Sequence, residues 1–212
     1  TVDTDGFVLA MKRQKEKARS AWAGSGDKEN ESIWFELEKK MPATEFLGYG
    51  SNEAQGQVLT ILVSGEKQNQ ITKGQIGQVI FNQTPFYAES GGQVSDIGVF
   101  HSENGHGVIS SVKNKEKLFI HNLKVLDGVL NLNSAVTMQV DGFKRDAVCR
   151  NHSATHLMHE SLRNILGDHV AQRGSLNDFN RLRFDFNHSK PLTDEELTKV
   201  ESQVNFYIRQ NT

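Results

Sequence analysis

A single cysteine, Cys149, excludes a disulfide framework and fits a reducing compartment. No apolar run approaches the roughly 18 residues that a membrane span requires, and no signal-peptide pattern opens the chain. The expectation is a cytoplasmic location with no membrane partner. A charge excess of one sign is lacking too. The formal charge is −2, so any nucleic-acid contact must be local, and no DNA partner is expected. Neither an internal repeat nor a low-complexity tract appears. With 212 residues there is room for one large domain or two small ones, and enough chain to bury a core without covalent staples. Both ends look arbitrary: residue 1 is Thr, and Thr212 interrupts a helical pattern without a stop signal. The expectation is an excised piece of a longer protein.

What is present divides into three regimes: residues 1–43, 44–142 and 143–212. In the first, Phe7, Met11, Ala18 and Trp22 fall near one stripe of a helix over Asp3–Trp22, with Lys12, Arg13, Lys15, Lys17 and Arg19 crowding the rest. Such a face is either solvated or apposed to RNA. Gly24-Ser25-Gly26-Asp27 reads as a loop, and Ser32–Lys40 as a second short helix ended by Met41-Pro42. In the second regime short β-rich runs recur, among them Val58–Val63, Ile76–Phe81, Val108-Ile109, Leu118–Ile120 and Val136–Val140. The breaks fall at Ser64–Lys67, Glu103–Gly105, Lys113–Lys115 and Asp127-Gly128. This spacing predicts a small antiparallel barrel or sandwich. The loop Thr84–Gly98 stands apart. Its Gly91-Gly92 pair permits a tight turn or the close approach of another chain, and Gln93 offers a donor and an acceptor for reading a small polar group.

The third regime opens on a helix predicted over residues 152–166, closed by Gly167 as a left-handed cap. His152 and His156, four apart, project from one face one turn from each other, a spacing that can hold one metal ion or simply line a polar face. Zinc normally takes three or four protein ligands. Cys149 lies three residues before His152, but a lone Cys beside an apolar run is usually a small buried hydrophobe. Asp168–Arg173 and Arg181–Asn187 read as strands, and Thr193–Glu196 as a capping box ahead of a helix carrying Leu197, Val200, Val204 and Ile208. The fold class expected is α+β: a helical tail, an antiparallel barrel-like part, then the first part of an α+β subdomain.

The ordered set Thr84-Pro85-Phe86-Tyr87-Ala88-Glu89-Ser90-Gly91-Gly92-Gln93, Asn151-His152-Ser153-Ala154-Thr155-His156-Leu157, Gly167–Leu176 and Leu182–Phe186 resembles the editing region of alanyl-tRNA synthetases. The opening Asp5-Gly6-Phe7 and basic helix are similar to the tail of that family's tRNA-recognition region. The resemblance implies a parent enzyme that uses ATP, outside these residues, to attach alanine to tRNA. This region would hydrolyse tRNA(Ala) wrongly charged with serine or glycine. It implies tRNA(Ala), by its acceptor end, as partner. His152 and His156 would be two zinc ligands, with the other two in a Cys-x3-His motif past Thr212. Zinc is thus expected in the intact protein and weak or absent here, with little activity. Gln93, with Gly91 and Gly92, is expected to meet the aminoacyl end, with His159 and His169 as further candidates. Two other readings stand beside this one: a free-standing deacylase of the same superfamily, and a non-catalytic module that docks the acceptor end. The threonyl-tRNA synthetase editing domain shares a His-x3-His helix, but the glycine-rich Glu89–Gln93 loop disfavours it. A strand left unpaired at the truncated edge would invite dimerisation.

Overall fold

Alternation of apolar and polar side chains dictates the strands that dominate residues 45–140. The computed structural model describes Met11 and residues 27–210. Apart from Met11, the basic helix expected over Asp3–Trp22 lies outside the described residues. The chain forms two units, Thr1–Met41 and Pro42–Thr212. In the first, helix α1 spans Asp27–Lys40 and so begins before Ser32. The glycine-rich break ends at Asp27, a residue type common at helix starts. Lys40 pairs with Glu36 at 2.6 Å, Met41 N–H donates to Leu37 O at 2.9 Å, and Pro42 stops the helix.

The second unit opens with ten strands: β1 Glu45–Phe46, β2 Glu53–Val63, β3 Glu66–Gln68, β4 Gln70–Thr72, β5 Ile76–Phe81, β6 Gln83–Thr84, β7 Gly98–Ser102, β8 Gly105–Lys115, β9 Leu118–Asn131 and β10 Ala135–Val140. Six of them run antiparallel in the order β10-β7-β8-β9-β5-β2, and the β10–β2 pairing (Val136 opposite Gly56, Met138 opposite Ala54) closes the barrel. Closure removes the unpaired edges that an open sheet would expose. Inward positions fill the barrel with Val58, Ile61, Val79, Phe81, Phe100, Leu123, Met138 and their neighbours, all buried. Strands β3 and β4 extend β2 and β9, and β1 pairs in parallel with β6.

Two expected turns are corrected. Lys113–Lys115 lies within β8, and the reversal falls after it, with Glu116 at φ 53°. Lys113 and Asn114 are polar because they face solvent on the barrel wall. Asp127-Gly128 lies within β9, where a register shift opposite His106/Gly107 and Gly128 at φ 75° let the strand bend and continue to β4.

Helix α2 (Gly142–Leu166) follows, ten residues longer at its start than periodicity had suggested. The Asp141 side chain accepts from Lys144 N–H at 3.1 Å and fixes that start. At the other end Gly167 has φ 116° and ψ 166°, which is not the left-handed cap expected. Strand β11 is Gln172–Asn177 rather than Asp168–Arg173, because residues 168–171 turn the chain and drop Val170 into a second core. Strand β12 (Leu182–Phe186) pairs antiparallel with β11, and helix α3 (Asp194–Gln210) closes the layer. Leu162, Val170 and Val200 are buried there, with Met158, Ile165, Phe184, Phe186 and Val204 packed round them. The Thr193–Glu196 box forms as read: Thr193 Oγ1 accepts from Glu196 N–H at 3.2 Å, and Glu196 Oε2 accepts from Thr193 N–H at 2.8 Å.

Candidate functional site

The loop between β6 and β7 is fastened before it reaches its tip. Phe86 and Ala88 are buried in the barrel core, and Thr84 Oγ1 accepts from Phe86 N–H at 3.1 Å. The same hydroxyl lies 2.8 Å from His121 Nε2, while His121 Nδ1 lies 3.3 Å from Val79 O. A carbonyl only accepts, so Nδ1 carries the hydrogen and Nε2 accepts from Thr84. Burial pushes the His121 pKa down to about 4 against smaller opposing contributions from backbone hydrogen bonds. The ring is thus a neutral part of the wall.

At the base of the loop Asp96 accepts from Tyr87 N–H at 2.6 Å and pairs with Arg145 on the first turns of α2. The guanidinium Nε lies 3.1 Å from Asp96 Oδ2. Its other nitrogens donate to Pro85 O at 2.5 Å, Gly48 O at 3.1 Å and Asn52 Oδ1 at 2.8 Å. One largely buried cation therefore ties two loops, β1–β2 and β6–β7, to the helix start.

The tip is a two-residue turn. Ser90 and Gln93 exchange backbone hydrogen bonds at 3.2 and 2.9 Å, with Gly91 at φ 59° and Gly92 at φ 84°, the type I′ arrangement. Gly92 is required for a second reason: a Cβ there would stand 2.4 Å from Ser175 O. The tip runs along β11, with Asn177 N–H donating to Gly92 O at 2.7 Å and Val94 N–H donating to Asn177 O at 3.0 Å. The Asn177 side chain, buried, accepts from Thr155 Oγ1 of α2 at 2.6 Å. Asn151 Nδ2 donates to Asp178 O at 2.6 Å. Glycine turn, strand and helix are thereby locked together.

That lock brings Gln93 to the histidine face. Gln93 Oε1 lies 2.6 Å from His152 Nδ1, across 59 residues of sequence. The His152 and His156 rings stack 5.0 Å apart, 16° from parallel, the first half-buried and the second exposed. Beside Gly91 and Gly92 opens a recess of about 330 Å³ that Glu89, Ser90, Lys113 and Asn114 also line. The histidine pair can offer a cation two imidazole nitrogens. Among the described residues no group of three or more His, Cys, Asp or Glu side chains is placed to hold a metal ion. The residues present therefore fit two positions of a tetrahedral site.

The other candidates are placed elsewhere. His159 packs its ring on Phe184 at 4.9 Å with Nε2 buried and unbonded. His169 Nε2 lies 2.8 Å from His188 Nδ1, beyond the C-terminal end of α2. Cys149 is exposed, not the buried hydrophobe its neighbours suggested, because α2 begins early enough to turn it outward. Reading along the chain did not single out Asp96, Arg145, Asn177 or His121. Each is an isolated polar residue whose partners are far away in sequence. Only the helical register of Asn151, Thr155 and His152 hinted that polar contacts continue along this face.

Comparison with known proteins gives a consistent result. Residues 1–143 match the family model for tRNA synthetases class II (A). An alanine–tRNA ligase of Dinoroseobacter shibae is 54% identical over 211 residues, which covers 100% of this chain and 24% of that protein. Alanine–tRNA ligases of Cereibacter sphaeroides and Parvibaculum lavamentivorans are each 51% identical, over 99% and 100% of this chain. The chain spans about a quarter of the length of these relatives, 24% in each case.

Proposed function

The chain belongs to the class II tRNA synthetases, as a fragment of alanyl-tRNA synthetase, and from that premise we propose that it is the editing region. Its reaction is hydrolysis of the ester that joins a wrong amino acid to the terminal ribose of tRNA(Ala). The single observation that carries this reading is the 2.6 Å approach of Gln93 to His152. It joins the glycine turn and the histidine helix, remote in sequence, at one point.

The chemical need is clear. A pocket built for alanine cannot strongly exclude glycine, and an added hydroxyl is a modest penalty, so serine and glycine call for a second, hydrolytic sieve. In the parent enzyme, ATP-driven ligation of alanine takes place in a separate region, and the tRNA acceptor end is the shared partner, in the cytoplasm. His152 and His156 would hold zinc together with two donors from outside the described residues. Bound there, zinc supplies Lewis-acid polarisation and orientation of the substrate. This chain's own residues do the rest. The Ser90–Gln93 turn presents Gln93 to the aminoacyl end, and the backbone of β11 stops that turn from moving. Because Gln93 Oε1 is engaged, its amide nitrogen remains as a donor for a substrate oxygen. The match of residues 1–143 to the synthetase family favours this reading over a free-standing deacylase.

The test is deacylation of Ser-tRNA(Ala), Gly-tRNA(Ala) and Ala-tRNA(Ala) by the parent enzyme and its Gln93→Ala variant, with zinc analysis of the 212-residue chain. The expected results are a changed serine-to-alanine ratio in the variant and weak zinc binding by the chain alone. Unchanged ratios would sink the proposal, and tight stoichiometric zinc on this chain would overturn the need for two further donors.

A further inference from the structure

The contact between Gln93 and His152 does more than set a distance. An amide oxygen accepts and never donates, so the imidazole nitrogen 2.6 Å from Gln93 Oε1 must bear a hydrogen. In a neutral imidazole only one ring nitrogen does so, and the other keeps its lone pair. We infer that Gln93 is a positioning residue that fixes the tautomer of His152, holding the proton at Nδ1 and leaving Nε2 as the ring's one lone pair for a cation.

Two features make Gln93 suited to this. Its backbone is held on both sides, by Ser90 across the turn and through Gly92 and Val94 by Asn177, so little freedom is lost when its side chain is aimed. The His152 ring is further restrained by stacking on His156. His156 supplies an internal contrast: its ring is exposed and makes no hydrogen bond among the described residues. Histidines that ligate metals commonly donate their other ring nitrogen's hydrogen to an oxygen acceptor, which selects the tautomer and orients the ring. The inference rests on the proposed cation role of His152 for its purpose, but not for its test.

Long-range 1H–15N correlation spectra of the labelled chain read each ring tautomer directly, taken near pH 8, above the ordinary His pKa of about 6.5. In the unmodified chain His152 should be the Nδ1–H form, whereas His156 should show the average of a free imidazole, dominated by Nε2–H. In Gln93→Leu the His152 signal should shift to that same average. Gln93→Glu keeps an acceptor oxygen and should keep Nδ1–H. Amide spectra confirm that each variant is folded. An Nε2–H form at His152 in the unmodified chain overturns the inference, as does an Nδ1–H form that survives Gln93→Leu. The first of these outcomes needs no variant to fold. No tRNA or metal enters the measurement, so failure of the editing assay and failure of this inference are separate results.

Discussion

Lowering the pH should destabilise the barrel through one residue, His121. The ring is fully buried, edge-on to Phe81 at 4.8 Å and Phe86 at 5.9 Å, and its pKa is pushed down to about 4 from 6.5 by desolvation. The folded pKa therefore lies below the unfolded one. Between the two values the unfolded chain binds the proton and the folded chain does not, so stability falls as pH falls. The contribution is intact at pH 7 and is lost through the window from 6.5 down to 4. Linkage at about 1.36 kcal/mol per pKa unit gives a loss of about 2–3 kcal/mol between pH 7.5 and 4.5. That is a large share of the roughly 5–15 kcal/mol typical of a domain.

The assay is urea unfolding followed by far-ultraviolet circular dichroism across that range, for the unmodified chain and for His121→Gln. Glutamine keeps a polar side chain beside Thr84 and Val79 but does not titrate. Carboxylates lower the stability of both proteins in acid, so the informative quantity is the difference between them. It should shrink by about 2–3 kcal/mol as the pH drops from 7.5 to 4.5. A difference that stays constant to within about 0.5 kcal/mol, or that grows in acid, would refute the neutral, solvent-free ring. Protonation would also make Nε2 a donor and leave the Thr84 hydroxyl hydrogen without the acceptor it has in the neutral state. Acid should thus loosen the start of the glycine loop before the rest of the barrel.

Arg145→Met leaves the buried Asp96 carboxylate without its cation, and should cost about 3–5 kcal/mol by denaturant unfolding. Adding Asp96→Asn should recover part of it, and a single-variant loss under about 1 kcal/mol would show that the pair is not the clamp. Gly92→Ala combines a positive φ with a Cβ 2.4 Å from Ser175 O, whereas at Gly91 a Cβ meets open space. Gly92→Ala should therefore lose more than about 2 kcal/mol and Gly91→Ala about 1 kcal/mol, read as Tm, and equal losses would remove the close approach. On α3 the Glu196 carboxyl is pulled down to about 2, first by the Thr193 backbone N–H and then by Lys190 and the Thr193 hydroxyl. Its stabilisation is present above the ordinary value of 4.5 and is lost as pH falls toward 2. Thr193→Ala should cost about 1 kcal/mol and flatten the helicity of α3 against pH in that window.

The barrel was legible because its strands alternate. Val58, Leu123 and Met138 turn inward while their sequence neighbours face water, and period 2 is a strong local signal. Strand order and closure were not legible, since pairing such as β10 with β2 joins residues about 80 apart with no local trace. Polar pairs misled the reading at Lys113-Asn114 and Asp127-Gly128. On a two-faced wall a run of solvent-facing residues looks like a turn. The start of α2 was missed because Gly142 and Phe143 are poor helix markers, and the cap rests on Asp141. In the site, Gln93, His152 and His156 carried chemistry in their residue types, and the structure brings them together. Arg145 and Asp96 carried none until their burial against each other was visible.

Stability and positioning are assigned to different contacts around this site. Neutral hydrogen bonds contribute about 1 kcal/mol each, whereas breaking a buried ion pair costs about 3–5 kcal/mol. The Arg145–Asp96 pair, with its four further oxygen and backbone partners, therefore dominates how firmly the loop is held. The single bond from Gln93 to His152 adds little to the folding free energy. A preference of about 1 kcal/mol is nonetheless a factor of about 5 in population, which is enough to select one tautomer and one ring orientation. Substitutions at Gln93 should accordingly alter the His152 ring at nearly unchanged Tm, while substitutions at Arg145 should lower Tm and disturb the site together. If Gln93→Leu lowered Tm as much as Arg145→Met, the glutamine would be part of the clamp, and its link to His152 would be a by-product of packing.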